Sequence, residues 1–252
     1  LMASIKSHYR FKIWNYSVPE YPHTDASFKQ LFEWLVKTYA LSRSKDNPQA
    51  WIDHQPGHVK HIAKIFKLYP QLRVIHIIRD GRAVANSIVP LDWGPNSINR
   101  AAYFYTQRIG YGLAVENYLG PEKALQVKYE NLVRDPSHCL KKICEFIGFD
   151  YCNEMLTGSG LLVPEFTKSQ HALVGEPVCN SRIDGWKLEM SGRHQEIFEL
   201  LTGDLLTYLG YIKRFESPEK LKLTERLLMD SHHICKSVVN LYKFNARVKR
   251  FI

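Results

Sequence analysis

Nowhere do the 252 residues approach the ~20 consecutive apolar residues that a membrane-crossing helix needs, and no charged-then-apolar leader opens the chain. A soluble protein is expected. The five cysteines (Cys139, Cys144, Cys152, Cys179, Cys235) are scattered, odd in number and never spaced C-x-x-C. That argues against a disulfide framework or a zinc ribbon and favours a reducing, cytoplasmic compartment. The sequence also lacks internal repeats, low-complexity runs, an H-E-x-x-H pair and anything resembling the G-x-x-x-x-G-K-[ST] of a P-loop kinase. Acid is scarce: Asp plus Glu number 25 against 34 Lys plus Arg, a net charge of +9. The excess points towards anionic ligands, acidic polymers or anionic surfaces without saying which.

What is present is an alternation of helices and strands long enough to bury a full core, since a chain of this length hides roughly 70–75% of its unfolded surface. The opening "LMASIKSHY" reads as part of a helix, and because it begins at Leu1 a segment cut away upstream is expected. The aromatic stretch from Tyr9 to Asp25 reads as irregular or a short strand, and Asp25 as the cap of a helix carrying Phe28, Leu31, Phe32, Leu35 and Tyr39 on one face. Trp51 to Gln55 reads as a short strand and His58 to Tyr69 as a helix. Next come the strand "VIHII", a helix over Ala83–Ile88 and a long helix from about Asn99 to Tyr118. "ALQVKYENL" reads as another buried strand, and a helix opens at Asp135-Pro136 and closes at Gly148. Strands bounded by helices imply βαβ units and a parallel sheet.

The end of "VIHII" is where chemistry is expected. In a parallel sheet, anions bind beyond the carboxyl ends of strands, where the following helix offers unpaired N–H groups and its positive dipole end. "IIRDGRAVANS" places Arg79 at such an end, Asp80 as N-cap, Gly81 for a tight turn and Ser87 two turns into the helix. A forked guanidinium and a hydroxyl can then converge on one phosphate. The competing reading is a structural ion-pair network among Arg79, Asp80 and Arg82.

Taken together, "WIDHQPGHVKHIAKIFKLYPQLRVIHIIRDGRAVANSI", "VKYENLVRDP", "SRIDGWKLEM" and "ELLTGDLLTYLGY" resemble the sulfotransferase family, in particular the protein-tyrosine sulfotransferase and bacterial branch, over residues 51 to 211. The resemblance implies a P-loop-like three-layer α/β fold with a central parallel sheet. It implies 3′-phosphoadenosine 5′-phosphosulfate (PAPS) as sulfuryl donor, adenosine 3′,5′-bisphosphate (PAP) as product, and no metal. Arg79 and Ser87 then fall on the 3′-phosphate and Tyr129 against the adenine. Arg182 returns to the 3′-phosphate, with Trp186 packing its loop. The family's Gly-rich loop for the 5′-phosphosulfate, roughly G-x-x-R-S-G-T-[ST], matches no string in the chain, and "LMASIKSH" resembles the helix that follows it. A fragment lacking that loop is expected to turn over poorly or not at all. Where relatives carry Glu/Asp-Lys-Thr-Pro, this chain has Asp53-His54-Gln55-Pro56. His54, with Glu20 and Asp53, is therefore the candidate set for a catalytic base on a hydroxyl or amine acceptor such as a glycan, a tyrosine or a small molecule.

His54, His58 and His61 share helical spacing, but Pro56-Gly57 interrupts any metal face they would form. The expected organisation is a sulfotransferase-like domain over 1–212 and a basic helical extension over 213–252. That extension carries ten Lys or Arg against four Asp or Glu. Its helix, expected to start at Ser217-Pro218-Glu219, puts Leu227, Ile234, Val238, Leu241 and Val248 opposite Lys236, Lys243, Arg247 and Lys249. Either the apolar stripe packs on the domain or on a second subunit, or the helix lies on a membrane surface. If an anchor preceded the chain, the compartment would be the Golgi lumen. The functional alternative is a non-catalytic basic binding protein on the same fold, for nucleic acid or another acidic polymer, with nucleic acid the weaker partner.

Overall fold

A computed structural model of the chain describes residues 2–22, 25–157, 163–170, 174–175 and 179–251. Two units organise it. The first takes Leu1–Pro70, Leu162–Ala172 and Asn245–Ile252, and the second Gln71–Leu161 and Leu173–Phe244.

In the first unit, helices α1 (Met2–Ser7), α2 (Tyr9–Ile13), α3 (Phe28–Ser42) and α4 (Ile62–Leu68) are held by aromatic packing more than by an aliphatic core. The Tyr16 ring meets Tyr39 edge-on at 5.2 Å while its hydroxyl shares a 2.6 Å hydrogen bond with Thr38. Phe32, Trp51 and Tyr69 form a second edge-to-face group. Ser27 rather than Asp25 caps α3, because Ser27 and Gln30 close a reciprocal capping box. Two further expectations give way here. The Tyr9–Asp25 stretch contains α2, and Trp51 to Gln55 is irregular rather than a strand. The helix expected from His58 begins as a 3₁₀ turn, Pro56–His61, before α4 takes over.

The second unit carries the sheet. Strands β1 (Val74–Ile78) and β2 (Ala124–Lys128) pair in parallel, Val74 opposite Ala124 and Ile78 opposite Lys128. From β1 the chain enters α5 (Gly81–Ile88) and then α6 (Ile98–Leu119), which returns along the sheet to β2. Gly112 lets α6 approach: a Cβ there would run into the His76 ring. The same ring reaches Glu116 through Nδ1, and Gln126 of β2 donates to Glu116 at 3.0 Å, so one helical carboxylate ties both strands.

After β2 the backbone turns straight into α7 (Tyr129–Arg134), so "YENL" is helix rather than strand, and α8 (Pro136–Ile147) follows. Asp135 caps α8 by accepting from the His138 N–H at 3.0 Å, and Gly148 ends it at φ +78°. Short helices α9 (Ser181–Asp184) and α10 (Trp186–Glu189) lead to α11 (Gly192–Thr202) and α12 (Leu205–Tyr208). Ile78, Ala85, Ala101, Tyr105, Phe198 and Leu206 bury together where β1, α5, α6, α11 and α12 meet. The last helix, α13 (Leu223–Phe251), begins later than Ser217. Arg193 takes the carbonyls of Glu219 and Lys220 out of any helical ladder, and Glu225 accepts from the Lys222 N–H to cap the start.

Candidate functional site

The site begins with the Asp80 carboxylate. Its Oδ1 accepts from the Arg82 N–H at 2.9 Å, capping α5. The same oxygen accepts from Arg82 Nε at 3.0 Å, while Oδ2 accepts from the guanidinium at 2.7 Å. Arg82 is 3% exposed and reaches Glu199 on α11, which is 1% exposed, as well as the Ile212 carbonyl. Burial pulls the Arg82 guanidinium down, but Asp80 and Glu199 outweigh it and hold the group above its ordinary value. Trp186 lies 4.1 Å from Arg82 across its ring face. Glu199 also accepts from the Arg214 and Phe215 N–H groups at 3.0 Å, the Arg214 N–H shared between both oxygens, so three donors make four hydrogen bonds to this carboxylate.

A second buried carboxylate completes the brace. Glu130, from α7 at the end of β2, accepts from the Asp80 N–H at 2.8 Å and from the Tyr211 hydroxyl at 3.0 Å. The Tyr105 hydroxyl donates to the Arg79 carbonyl at 3.0 Å. Burial, followed by the nearby carboxylates, pushes both tyrosines up and keeps them protonated donors. Gly81 serves packing rather than an unusual turn: a Cβ would stand 2.7 Å from the Tyr105 ring and 2.8 Å from that of Phe198. Sequence reasoning places Arg82 in the competing ion-pair network and reads Glu130 as a brace of neighbouring loops, but it missed Glu199. The charge alternation in "RDGR" signals Arg82 alone, since its partner at 199 lies far off in the chain.

The turn held in this way carries the expected anion-binding residues. The Arg79 guanidinium stacks 4.4 Å from the Tyr129 ring and donates to the Arg182 carbonyl at 2.6 Å. Its Nε is buried and makes no hydrogen bond among the described residues. Ser87 is exposed on α5, two turns beyond the cap. Arg79, Tyr129 and Arg182 are thus brought together, and Ser87 stands on the helix that Arg79 precedes. The competing structural network also exists, but it runs through Asp80 and Arg82 and leaves Arg79 out.

Glu20, Asp53 and His54 belong to the first unit. Glu20 pairs with Lys6, and Asp53 pairs with His58 while accepting from the Gln55 N–H at 2.9 Å. His54 is exposed. Among the described residues, no group of three or more His, Cys, Asp or Glu side chains gathers where it could hold a metal ion.

Comparison with known proteins gives this geometry a context. The sulfotransferase family model matches residues 4–153. A Caenorhabditis briggsae protein named "Putative protein-tyrosine sulfotransferase" is 30% identical over 123 residues, 46% of this chain and 43% of that protein. The match therefore spans less than half the length of that relative. Among solved structures, a sulfotransferase domain from the curacin biosynthetic pathway superposes with a TM-score of 0.52 at 17% identity, covering 73% of this chain and 68% of that one. A sulfotransferase domain from the Synechococcus PCC 7002 olefin synthase aligns at 0.49 and 21% identity over 80% of this chain and 67% of its own.

Proposed function

The chain belongs to the sulfotransferase family, and from that premise we propose that its second unit binds PAPS and that the chain takes part in sulfuryl transfer to a hydroxyl or amine of an acceptor. One observation carries the reading. At the end of β1 the Arg79 guanidinium keeps a buried N–H that is unbonded among the described residues, while the Arg182 carbonyl and the Tyr129 ring hold the group and the Tyr105 hydroxyl fixes the Arg79 backbone carbonyl. A buried donor left unpaired is costly, and an anion arriving at Arg79 relieves that cost.

The residues fit the donor. Arg79 would hold the 3′-phosphate with its fork, and Ser87 would add a hydroxyl from α5, whose N-terminal dipole favours the same charge. Tyr129, with one face against Arg79, offers its other surroundings to the adenine. Arg182 lends its carbonyl to orient Arg79 and keeps its own guanidinium exposed for the anion. PAPS, when bound, supplies an activated sulfuryl group. The chain's contribution is to bind and orient. On the acceptor side the residues proposed from the family resemblance are Glu20, Asp53 and His54. Lys6 engages Glu20 and His58 engages Asp53, which leaves the His54 imidazole as the proposed base.

Thermal melting of the whole chain with PAP tests the reading. A ligand at a hundred times its Kd stabilises by about 2.7 kcal/mol, which gives a clear rise in Tm. Arg79→Ala is expected to remove that rise while melting close to the parent without ligand. Absence of any response to PAP, together with salt-sensitive binding to generic DNA, would overturn the reading in favour of a nucleic-acid-binding protein.

A further inference from the structure

Helix α13 presents three longitudinal faces over Leu223 to Phe244, and only one of them is docked. That face is polar. Asp230 accepts from Asn99 at 2.8 Å and from Arg100 at 2.9 Å, and the His233 ring accepts from the Asn96 N–H at 3.1 Å. Ser237 and Asn240 bond the Asn96 side chain at 3.1 and 2.9 Å. The apolar residues expected to pack inward therefore do not: Leu227, Ile234, Val238 and Leu241, with Leu228 and Tyr242 beside them, are each 57–76% exposed. At 100° per residue they fill a continuous arc on the side away from the docked face. Lys236 and Lys243, seven residues apart, line one border of that arc.

An arc of this breadth left in water is unfavourable and marks an interaction surface. Its charge decides what covers it. The acids of α13 are Glu225 and Asp230, and both are spent inward, Glu225 on Arg193 and Asp230 on Asn99 and Arg100. The outer side is thus apolar and cationic with no acid. A second copy of the helix would set lysine rows near lysine rows and offer them no partner. A bilayer carrying anionic headgroups answers both features, taking the leucines and valines at the headgroup boundary and the lysines against phosphate and carboxylate. Among the described residues no helix is long and apolar enough to cross a membrane, so the contact is one of lying on the surface.

We propose that the outer face of α13 binds the surface of an anionic phospholipid bilayer. Flotation of the full chain with phosphatidylcholine vesicles, with and without phosphatidylserine, tests this. Binding to the serine-containing vesicles that weakens as salt rises is expected. Leu227→Asp with Val238→Asp is expected to weaken it by about tenfold or more, since two exposed apolar anchors are lost. Because both side chains are exposed, the double variant should keep the parent Tm and its response to PAP. Lys236→Glu with Lys243→Glu should remove the preference for phosphatidylserine. Failure to bind either vesicle, or equal binding by the Leu227→Asp, Val238→Asp variant, would overturn the proposal. So would a concentration-dependent dimer, seen by light scattering, that the variant dissolves while vesicles are ignored. The vesicle result does not depend on the donor-site reading, because the response to PAP reports that separately.

Discussion

The residues that hold the β1–α5 turn and the residues the turn presents differ in nearly every physical respect. Asp80, Arg82, Glu130 and Glu199 are buried, and their carboxylates and guanidinium meet several donors or acceptors at once. Ser87 and Arg182 are exposed, and Arg79 keeps an N–H that is unbonded among the described residues. The first group is charged without being available to a ligand. The second is available because the first fixes the backbone that carries it. A basic composition therefore says little about where an anion sits, since one of the arginines in "RDGR" is consumed by the fold.

The largest expected effect separates the two groups by stability. Glu199→Ala strands the buried Arg82 charge on one side and leaves the Arg214 and Phe215 N–H groups without their acceptor. Breaking a buried pair in this way costs about 3–5 kcal/mol. Urea denaturation should show the midpoint falling accordingly, and a loss below about 1 kcal/mol would mean the network is not what holds the turn. Gly81→Ala comes next, at about 1–3 kcal/mol of overpacking against Tyr105 and Phe198. Because Gly81 opens α5, this variant should also weaken PAP-induced stabilisation. A variant that lost stability but kept its full response to PAP would show that turn and ligand are uncoupled.

How much of this the sequence disclosed follows the range of the forces. β1, α5 and α8 were legible because their signals are local: an apolar run, an Asp before a helix, a Pro at its start and a Gly at φ +78° after its end. The short α7 was read as strand because six residues carry little helical preference of their own. What fixes it is Glu130 bonding Asp80 and Tyr211, 50 and 81 residues away. The pairing of Arg82 with Glu199 spans 117 residues and leaves no periodicity to detect. For α13 the amphipathic pattern was legible but its orientation was not. Apolar spacing identifies a face without saying whether protein covers it, and here hydrogen bonds from Asn96 and Asn99 dock the polar side. At the candidate site Arg79, Ser87, Tyr129 and Arg182 were named from sequence, and so were Asp80 and Arg82 among their supports, whereas Glu199 was not.

A smaller effect is expected from the presented group. Ser87→Ala removes one hydroxyl from an exposed position, so stability should stay within about 0.5 kcal/mol of the parent. A single hydrogen bond to an anion is worth about 1.5–3 kcal/mol, so the Kd for PAP should rise by roughly ten- to a hundredfold in titration calorimetry. A fall in Tm instead, with Kd unchanged, would move Ser87 into the supporting group.

The smallest effect concerns the polar docking of α13 and is read by pH. Burial, then Arg100 and His232, lower the His233 pKa, while Asp230 pulls the other way. Its Nδ1 accepts the Asn96 N–H and needs a free lone pair. A folded-state pKa below the unfolded value of about 6.5 means that the contribution is complete above that pH and is lost as the pH falls below it. Amide exchange in α13 should therefore quicken from pH 7 towards pH 5.5 more than exchange in α6. His233→Asn keeps an acceptor near the Nδ1 position without a titrating proton, so it should flatten that dependence. If the variant's α13 loosens with acid as the parent's does, the acid sensitivity lies elsewhere on the docked face, and the Asn96 contact is not the one that titrates.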